Sequence, residues 1–331
     1  MRRAVHFASR FKFLLPSQHI CMHTALSYVQ IYLRVSGIIA ALLLTGCTSI
    51  SPDIAEEEPK TWQEAPCFAV ETLDDGERAL ADSLMKEAVN HQALYTLVGD
   101  VKPMSTLLQE RYALARPDSA EAGIREVVVR DSAVAAYEDA GQLQRVADAL
   151  SCGAIQTVVV PFKATRDGRR TVQALLVDRR AFESALDRDA AFWGQWAFTP
   201  TSDPATVITA VEYEASLDRY RGYGYLFGYP EHAVTFFVEA ARTAEKEDTF
   251  VERNFFHIPT AEAETNRFTY AVPEGYTPSA PDSTIYRNAA DILEAYRERR
   301  ADHLNENDTL QAVELLRNWY REEPEFDPRR P

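Results

Sequence analysis

Acidic residues are absent from the first 52 positions of this 331-residue chain, although over its whole length they outnumber Lys and Arg by 50 to 35. The resulting formal net charge of −15 argues against binding to nucleic acid, which depends on clustered basic residues. Long apolar runs are also missing. No run after Cys47 approaches the roughly 20 residues that a membrane-spanning helix needs. The sequence therefore argues against a nucleic-acid-binding protein and against a chain that crosses a membrane after Cys47.

Motifs that identify the common enzyme classes are missing as well. The chain contains no G-x-S-x-G, H-E-x-x-H, P-loop or G-x-G-x-x-G motif. After Cys47 no two histidines are three or four residues apart, the spacing of a metal site on one helix face. We therefore predict neither a bound metal nor a cofactor, and any catalytic role lacks a motif to support it.

The N-terminal region has the pattern of an export signal. Arg34 precedes an apolar run at 35–44 that is too short to span a bilayer. The run ends in Leu-Thr-Gly-Cys at 44–47, which resembles the lipobox of bacterial lipoproteins. The resemblance implies cleavage before Cys47 and acylation of that cysteine. Residues 1–46 would then be a signal peptide.

A second basic and apolar stretch, residues 1–21, precedes this signal. Met22 would begin a signal of more usual length, so we expect translation to start there. Loss of residues 1–46 removes five basic residues and no acidic one, which takes the formal charge to −20. Such a charge favours a cationic partner, solubility or a salty habitat.

The mature chain is expected to be a tethered envelope protein. Residues 47–66 contain Ser-Pro and Glu-Glu-Glu-Pro and have little to bury, which predicts a flexible tether. In the lipoprotein family an Asp after the acylated cysteine is associated with retention in the inner membrane. Thr48 stands at that position, which favours the periplasmic side of the outer membrane. The expected partners are the membrane, through the lipid anchor, and an envelope protein or a small ligand.

Two of the four cysteines, Cys67 and Cys152, belong to the folded part once Cys21 and Cys47 are assigned to the signal and the lipid site. In an oxidising compartment two such thiols are expected to form a disulfide. The bond would join the start of the folded domain to the end of a helix. The alternative is a pair of buried free thiols.

Hydrophobic periodicity predicts an α+β fold, mostly helical, in a single globular domain at residues 67–331. The clearest β signal is a hairpin at 155–177, with the turn Asp167-Gly168 at its tip. A strand is also predicted at 124–130, and 255–260 with 267–272 are expected to form a second hairpin or two edge strands. Helices are predicted at 77–96, 132–150, 181–196, 205–220, 230–246, 283–303 and 309–322.

Residues 219–232, here called the tyrosine–glycine segment, contain four tyrosines and three glycines and lead into a predicted helix N-terminus. Exposed amides there and phenol hydroxyls suit an anionic or sugar-like ligand, so Tyr225 and Tyr229 are candidate binding residues. His232, beside Glu231 in the first helical turn, is a candidate ligand-binding residue and general base. The alternative interpretation is a tightly packed elbow between two helices.

Residues 99–106, here called the glycine–proline segment, interrupt two apolar helical patterns with Gly and Pro. Loops of this kind carry functional residues more often than helix surfaces do, which makes Asp100 and Lys102 candidate ligand-binding residues. The alternative interpretation is a plain connector between helices.

The leading hypothesis is a membrane-tethered periplasmic lipoprotein whose domain binds a ligand or partner without evident catalysis. The alternative is a metal-independent envelope enzyme that uses His232 and Glu231 with the Asp100–Lys102 loop. Convergence of the two segments on one concave site would favour a ligand or substrate. Separate positions and an exposed apolar patch would favour a protein partner.

Overall fold

Helices dominate the part of the chain that the structure, a computed structural model, describes: residues 67–113, 134–166 and 169–329. Helix accounts for 55% and strand for 19%, which confirms the predicted α+β class. The ten α-helices of this part are α1 (Asp75–Asn90), α2 (Leu94–Leu97), α3 (Val134–Ala149), α4 (Arg179–Arg188), α5 (Ala190–Trp193), α6 (Pro204–Tyr213), α7 (Ser216–Leu226), α8 (Glu231–Glu247), α9 (Ala280–Arg300) and α10 (Ala312–Glu322). Its strands are β1 (Met104–Tyr112), β2 (Ile155–Arg166), β3 (Arg169–Asp178), β4 (Arg253–Ile258) and β5 (Phe268–Pro273).

The larger sheet is an antiparallel three-stranded sheet in the order β1-β3-β2. Ile155 faces Asp178 and Arg166 faces Arg169, so the predicted hairpin at 155–177 is confirmed. The Asp-Gly turn expected at its tip, residues 167–168, lies outside the described residues, as does the strand expected at 124–130.

The central strand β3 separates two apolar cores. Alternate residues of a strand point to opposite faces of the sheet. Ala174 and Leu176 accordingly join a core formed with helices that include α1, α3 and α10, whereas Leu175 and Val177 join a second core with α4, α6 and α7. All four side chains are fully buried, as the nearly continuous apolar run in this strand suggests.

The smaller sheet pairs β4 with β5 antiparallel, so the second hairpin expected from 255–260 and 267–272 is present. A short loop follows β5. Helix α9 then begins with a capping box: the Ser279 side chain accepts from the backbone amide of Asp282, and the Asp282 side chain accepts from the backbone amide of Ser279. Asp74 caps α1 in the same way with Glu77. Short polar patterns therefore define where two of the long helices begin.

Several predicted boundaries are wrong because local periodicity does not show where a tertiary contact breaks a helix. The helix predicted at 205–220 divides at residues 214–215 into α6 and α7. The glycine–proline segment is only partly a connector, because its last three residues begin β1, where Met104 pairs with Val177. Most of the tyrosine–glycine segment is helical, since α7 continues to Leu226.

Cys67 and Cys152 lie at disulfide-bonding distance, with their Cα atoms 4.5 Å apart. This confirms that the two cysteines predicted to pair are brought together. The start of the described chain therefore lies beside the bend between α3 and β2. Across the described residues, the helices are too short or too polar to qualify as membrane spans.

Candidate functional site

A broad cleft of about 1860 Å³ lies where the first turns of α4, α8 and α9 meet the connection between α2 and β1. Five of the six side chains predicted to bind a ligand or act on it line this cleft: Asp100, Tyr225, Tyr229, Glu231 and His232. The two segments singled out from the sequence therefore converge on one concave surface. Lys102, the sixth, does not line it.

Close helix packing sets the shape of the tyrosine–glycine segment. A Cβ atom added at Gly222 would lie 2.9 Å from Val211 on α6, and one at Gly224 would lie 2.8 Å from Val234 on α8. These glycines allow α7 to approach both neighbours, as the alternative elbow interpretation expects. Tyr223, which lies between them, donates to Glu212 on α6 at 2.8 Å.

Gly228 joins the two segments. Its φ of +77° is a left-handed conformation, which glycine adopts at little cost. A Cβ atom here would lie 2.9 Å from the carbonyl oxygen of Val101. The elbow between α7 and α8 therefore rests directly on the glycine–proline segment, and this contact brings Asp100 to the same cleft as Tyr229.

Lys102 is fully buried behind the cleft wall, which explains why it is not exposed to a ligand there. Its Nζ donates to the carbonyl oxygen of Phe227 at 3.0 Å and lies 4.0 Å from the ring centroid of Phe268. The rings of Phe227 and Tyr229 complete an aromatic enclosure. Burial lowers the pKa of Lys102 to about 7. The prediction of Lys102 as a ligand contact is thus replaced by a role inside the elbow.

His232 forms part of a polar network centred on Asp282. Its Nε2 lies 3.1 Å from Oδ1 of Asp282 and 3.0 Å from the hydroxyl of Tyr276. Tyr276 donates to Oδ2 of Asp282 at 2.6 Å, and Tyr270 donates to Oδ1 at 2.5 Å. The backbone amide and hydroxyl of Ser279 both donate to Oδ2 at 2.6 Å. The Asp282 carboxylate therefore contacts the start of α9, strand β5 and the first turn of α8.

The network keeps Asp282 ionised although its side chain has no exposed surface. Burial raises the pKa of Asp282, but the hydrogen bonds from Ser279, Tyr270 and Tyr276 outweigh burial and lower the pKa to about 2. Burial and the neighbouring carboxylate raise the pKa of the Tyr270 and Tyr276 phenols. At neutral pH the site thus contains a buried negative charge held by neutral donors.

The arginines that line the cleft each contact a carboxylate. Arg180 forms two hydrogen bonds with Asp178, the N-cap residue of α4, at 3.2 and 3.0 Å. Arg188 lies 2.6 Å from Asp189, and Arg221 lies 3.7 Å from Glu231 and donates to Tyr225 at 3.2 Å. These pairs leave little uncompensated positive charge along the wall.

Two exposed carboxylates of the cleft, those of Asp100 and Glu325, have no basic partner among the described residues. Glu231 is itself 62% exposed, and its Oε1 accepts from Thr235 at 2.8 Å. The chemical groups that the cleft offers to a ligand are therefore mainly carboxylate acceptors, together with the partly exposed Tyr229. Tyr225 belongs to the cleft wall, but its side chain is buried in the second core.

Sequence reasoning missed Asp282, Tyr276 and Arg221. A Ser-x-x-Asp pattern at 279–282 signals a helix start, and that signal alone gives Asp282 a structural role. Its contact with His232 joins residues 50 positions apart, which no local pattern shows. No cluster of three or more His, Cys, Asp or Glu side chains within the described ranges is arranged to hold a metal ion.

Comparison of the chain with known protein families, curated proteins and solved structures finds no match. The geometry of the cleft is therefore the basis for any functional conclusion.

Proposed function

We propose that the protein is a lipid-anchored lipoprotein of the cell envelope, facing the periplasm, whose folded domain binds a ligand in the cleft. The observation that carries this proposal is that the glycine–proline and tyrosine–glycine segments, about 120 residues apart in the chain, line one cleft with a volume of about 1860 Å³. Cys47 supplies the anchor, and the outer membrane is the favoured location. Pairing of Cys67 with Cys152 fits an oxidising compartment.

The anchor is tested by changing the residue that would carry it. In cells grown with labelled palmitate, the wild-type chain should incorporate label and partition into detergent. Cys47→Ser should do neither, because serine lacks the thiol to which the lipid is attached, and without acyl chains the chain has no stable attachment to a membrane or detergent phase. Label retained by the variant would contradict the lipoprotein assignment. Cys67→Ser, which removes a cysteine of the folded part, is the matched control and should keep the label.

Ligand binding is tested by thermal unfolding in the presence of low-mass fractions of an envelope extract. A ligand at 100 times its Kd should stabilise the folded state by about 2.7 kcal/mol and raise Tm. Glu231→Gln should reduce this rise, because it changes a group on the cleft wall. Glu239→Gln, on the same helix but away from the cleft, should keep it. If no fraction raises Tm, the proposed small ligand is wrong and a protein partner is favoured.

A second candidate function is catalysis with His232 as a general base. The contact between Nε2 and the buried Asp282 favours it, because such a contact orients an imidazole for proton transfer. Within the described residues no Ser or Cys side chain hydrogen-bonds to His232, so a bound hydroxyl or water would be the proton donor. Glu231 pairs with Arg221 and Thr235 rather than with the histidine.

Catalysis predicts conversion of a component of the extract with time. Wild-type protein should change that component, as followed by mass spectrometry, and His232→Gln should not. The variant should unfold at nearly the same temperature, because His232 is partly exposed and Asp282 keeps its other donors. Equal conversion by both proteins would exclude His232 as the base.

A further inference from the structure

The proton positions around His232 follow from the donors that surround Asp282. Tyr276 has a single hydroxyl proton and gives it to Oδ2 of Asp282, so its oxygen can only accept from His232. Oδ1 of the ionised Asp282 likewise needs a donor at Nε2. Both neighbours therefore require a proton on Nε2. In the neutral imidazole this leaves the lone pair on Nδ1.

Nδ1 of His232 is the free nitrogen of this network. Among the described residues, no group hydrogen-bonds to it, and the ring, 30% exposed, lines the cleft. His303 differs from His232 because both of its ring nitrogens have hydrogen-bond partners. Its Nδ1 contacts the carbonyl oxygen of Arg299 and its Nε2 contacts Asn318. His232 thus combines a fixed tautomer with an available acceptor.

We propose that His232, Asp282 and Tyr276 form a preoriented proton-acceptor site, in which Nδ1 of His232 accepts a hydrogen bond or proton from a hydroxyl or ammonium group of the ligand. This inference rests on the proposed function, because it names the ligand chemistry of the same cleft. Asp282 and Tyr276 are positioning residues, and of the three residues only His232 touches the ligand.

The charges along the cleft favour the same ligand class. Asp100 and Glu325 add exposed acceptors, whereas Arg180, Arg188 and Arg221 already contact carboxylates. A ligand that brings hydrogen-bond donors meets complementary groups there, and an anion meets like charge. The competing case is an anion at the first turn of α8, where Pro230 provides no side-chain cap.

The tautomer is measured first, in the ligand-free full chain in detergent, from the nitrogen chemical shifts of isotope-labelled histidine. His232→Gln assigns the signal, and His303 serves as the internal reference. We expect the proton of neutral His232 on Nε2. Asp282→Asn should increase the fraction with the proton on Nδ1 several-fold, because an amide can turn its NH₂ group toward Nε2. If Asp282→Asn does not fold, Tyr276→Phe should cause a smaller change in the same direction.

A proton on Nδ1 in the wild-type protein, or a tautomer unchanged in the folded variants, would overturn the proposal. Both readings are taken without ligand, so they are independent of whether the cleft binds anything. The tautomer tests the proton positions of the network, and the ligand titration tests whether Nδ1 meets a ligand.

The ligand class is measured next by titrating the same signal with spermidine, maltotriose and inorganic phosphate, each up to about 10 mM. A saturable shift with spermidine identifies an ammonium donor and should weaken about tenfold in Asp100→Asn. A saturable shift with maltotriose identifies hydroxyl donors. Saturation by phosphate alone, or no shift with any of the three, would overturn the assigned class.

Discussion

Lys102 is a buried cation whose surroundings contain no carboxylate contact among the described residues. It sits at the C-terminal end of α7, where its Nζ bonds to the carbonyl oxygen of Phe227. Carbonyl groups at a helix C-terminus attract positive charge, which accounts for its tolerance there. Burial nevertheless favours the neutral amine, so the protonated side chain carries a cost in the folded state.

The free energy of unfolding should therefore rise between pH 7 and pH 10.5. In this window the unfolded chain binds a proton at Lys102, whereas the folded protein, in which the pKa is lowered from 10.5 to about 7, does not. Below pH 7 both states are protonated, and Lys102 causes no further change. Chemical denaturation at pH 7 and at about pH 9.5 should show a smaller rise for Lys102→Met than for the wild type.

Lys86→Met provides the matched control, because Lys86 is exposed on α1. This variant should keep the wild-type rise with pH. Identical pH dependence of the wild type and Lys102→Met would show that Lys102 does not release its proton on folding.

Residues of the site differ in how far the sequence reveals them. Tyr225, Tyr229 and His232 could be predicted because a glycine-rich stretch and a helix start mark their segment. Asp282 could not, because a local capping pattern fully accounts for an acid at that position. Lys102 is predicted to contact the ligand because it lies in a loop of the kind that carries functional residues, but its side chain is fully buried and bonds to Phe227 instead.

At the scale of elements, the contacts of α7 with α6 and α8 determine the position of the cleft residues at the end of α7 and the start of α8. Gly224 lets α7 approach Val234, so that the residues following α7 reach the cleft. The branched side chain of valine has few rotamers and cannot move aside readily.

Overpacking in Gly224→Ala should cost about 1–3 kcal/mol. The helix-propensity gain of Ala over Gly offsets at most about 1 kcal/mol of this cost, so the free energy of unfolding should fall by about 1–2 kcal/mol. Val234→Ala should offset part of the loss in the double variant, which a double-mutant cycle measured by chemical denaturation detects. Gly141→Ala is the control, since its Cβ would meet only the flexible end of Arg145. Additive effects of the two changes would contradict the contact.

Element types were easier to predict than element ends. The hairpin of β2 and β3 combines nearly continuous runs of branched and apolar residues with an Asp-Gly turn between them, so its pairing could be predicted. The break between α6 and α7 has no Gly or Pro at 214–215 and depends on how the two helices pack. No strand is predicted from the sequence over β1, because a Gly- and Pro-containing stretch precedes it and charged residues follow its apolar start.

Over the whole molecule, a disulfide between Cys67 and Cys152 would close a loop with a sequence separation of 85 residues. A bond across so long a loop restricts the unfolded chain, for which loop-closure arithmetic gives an upper estimate of about 4–5 kcal/mol. Measured values for native disulfides are commonly smaller, because the unfolded state is not a free chain.

The double change Cys67→Ala/Cys152→Ala should therefore lower the free energy of unfolding by about 2–4 kcal/mol. Thermal or chemical unfolding with and without a reductant measures the effect. Reductant should destabilise the wild type by a similar amount and leave the double variant unchanged. A wild type that is insensitive to reductant, with both thiols free by mass spectrometry, would support the alternative of two buried thiols.

Local patterns in the sequence were enough to predict the α+β class, the type of most elements and which two cysteines come together, because these depend on hydrophobic periodicity, on turn signals and on which residues are present. The tertiary structure alone decided that Asp282 meets His232, that Lys102 lies inside and that both segments share one cleft. Those outcomes depend on contacts between residues far apart in the chain, where packing of the two cores and the close approach of α7 set the distances.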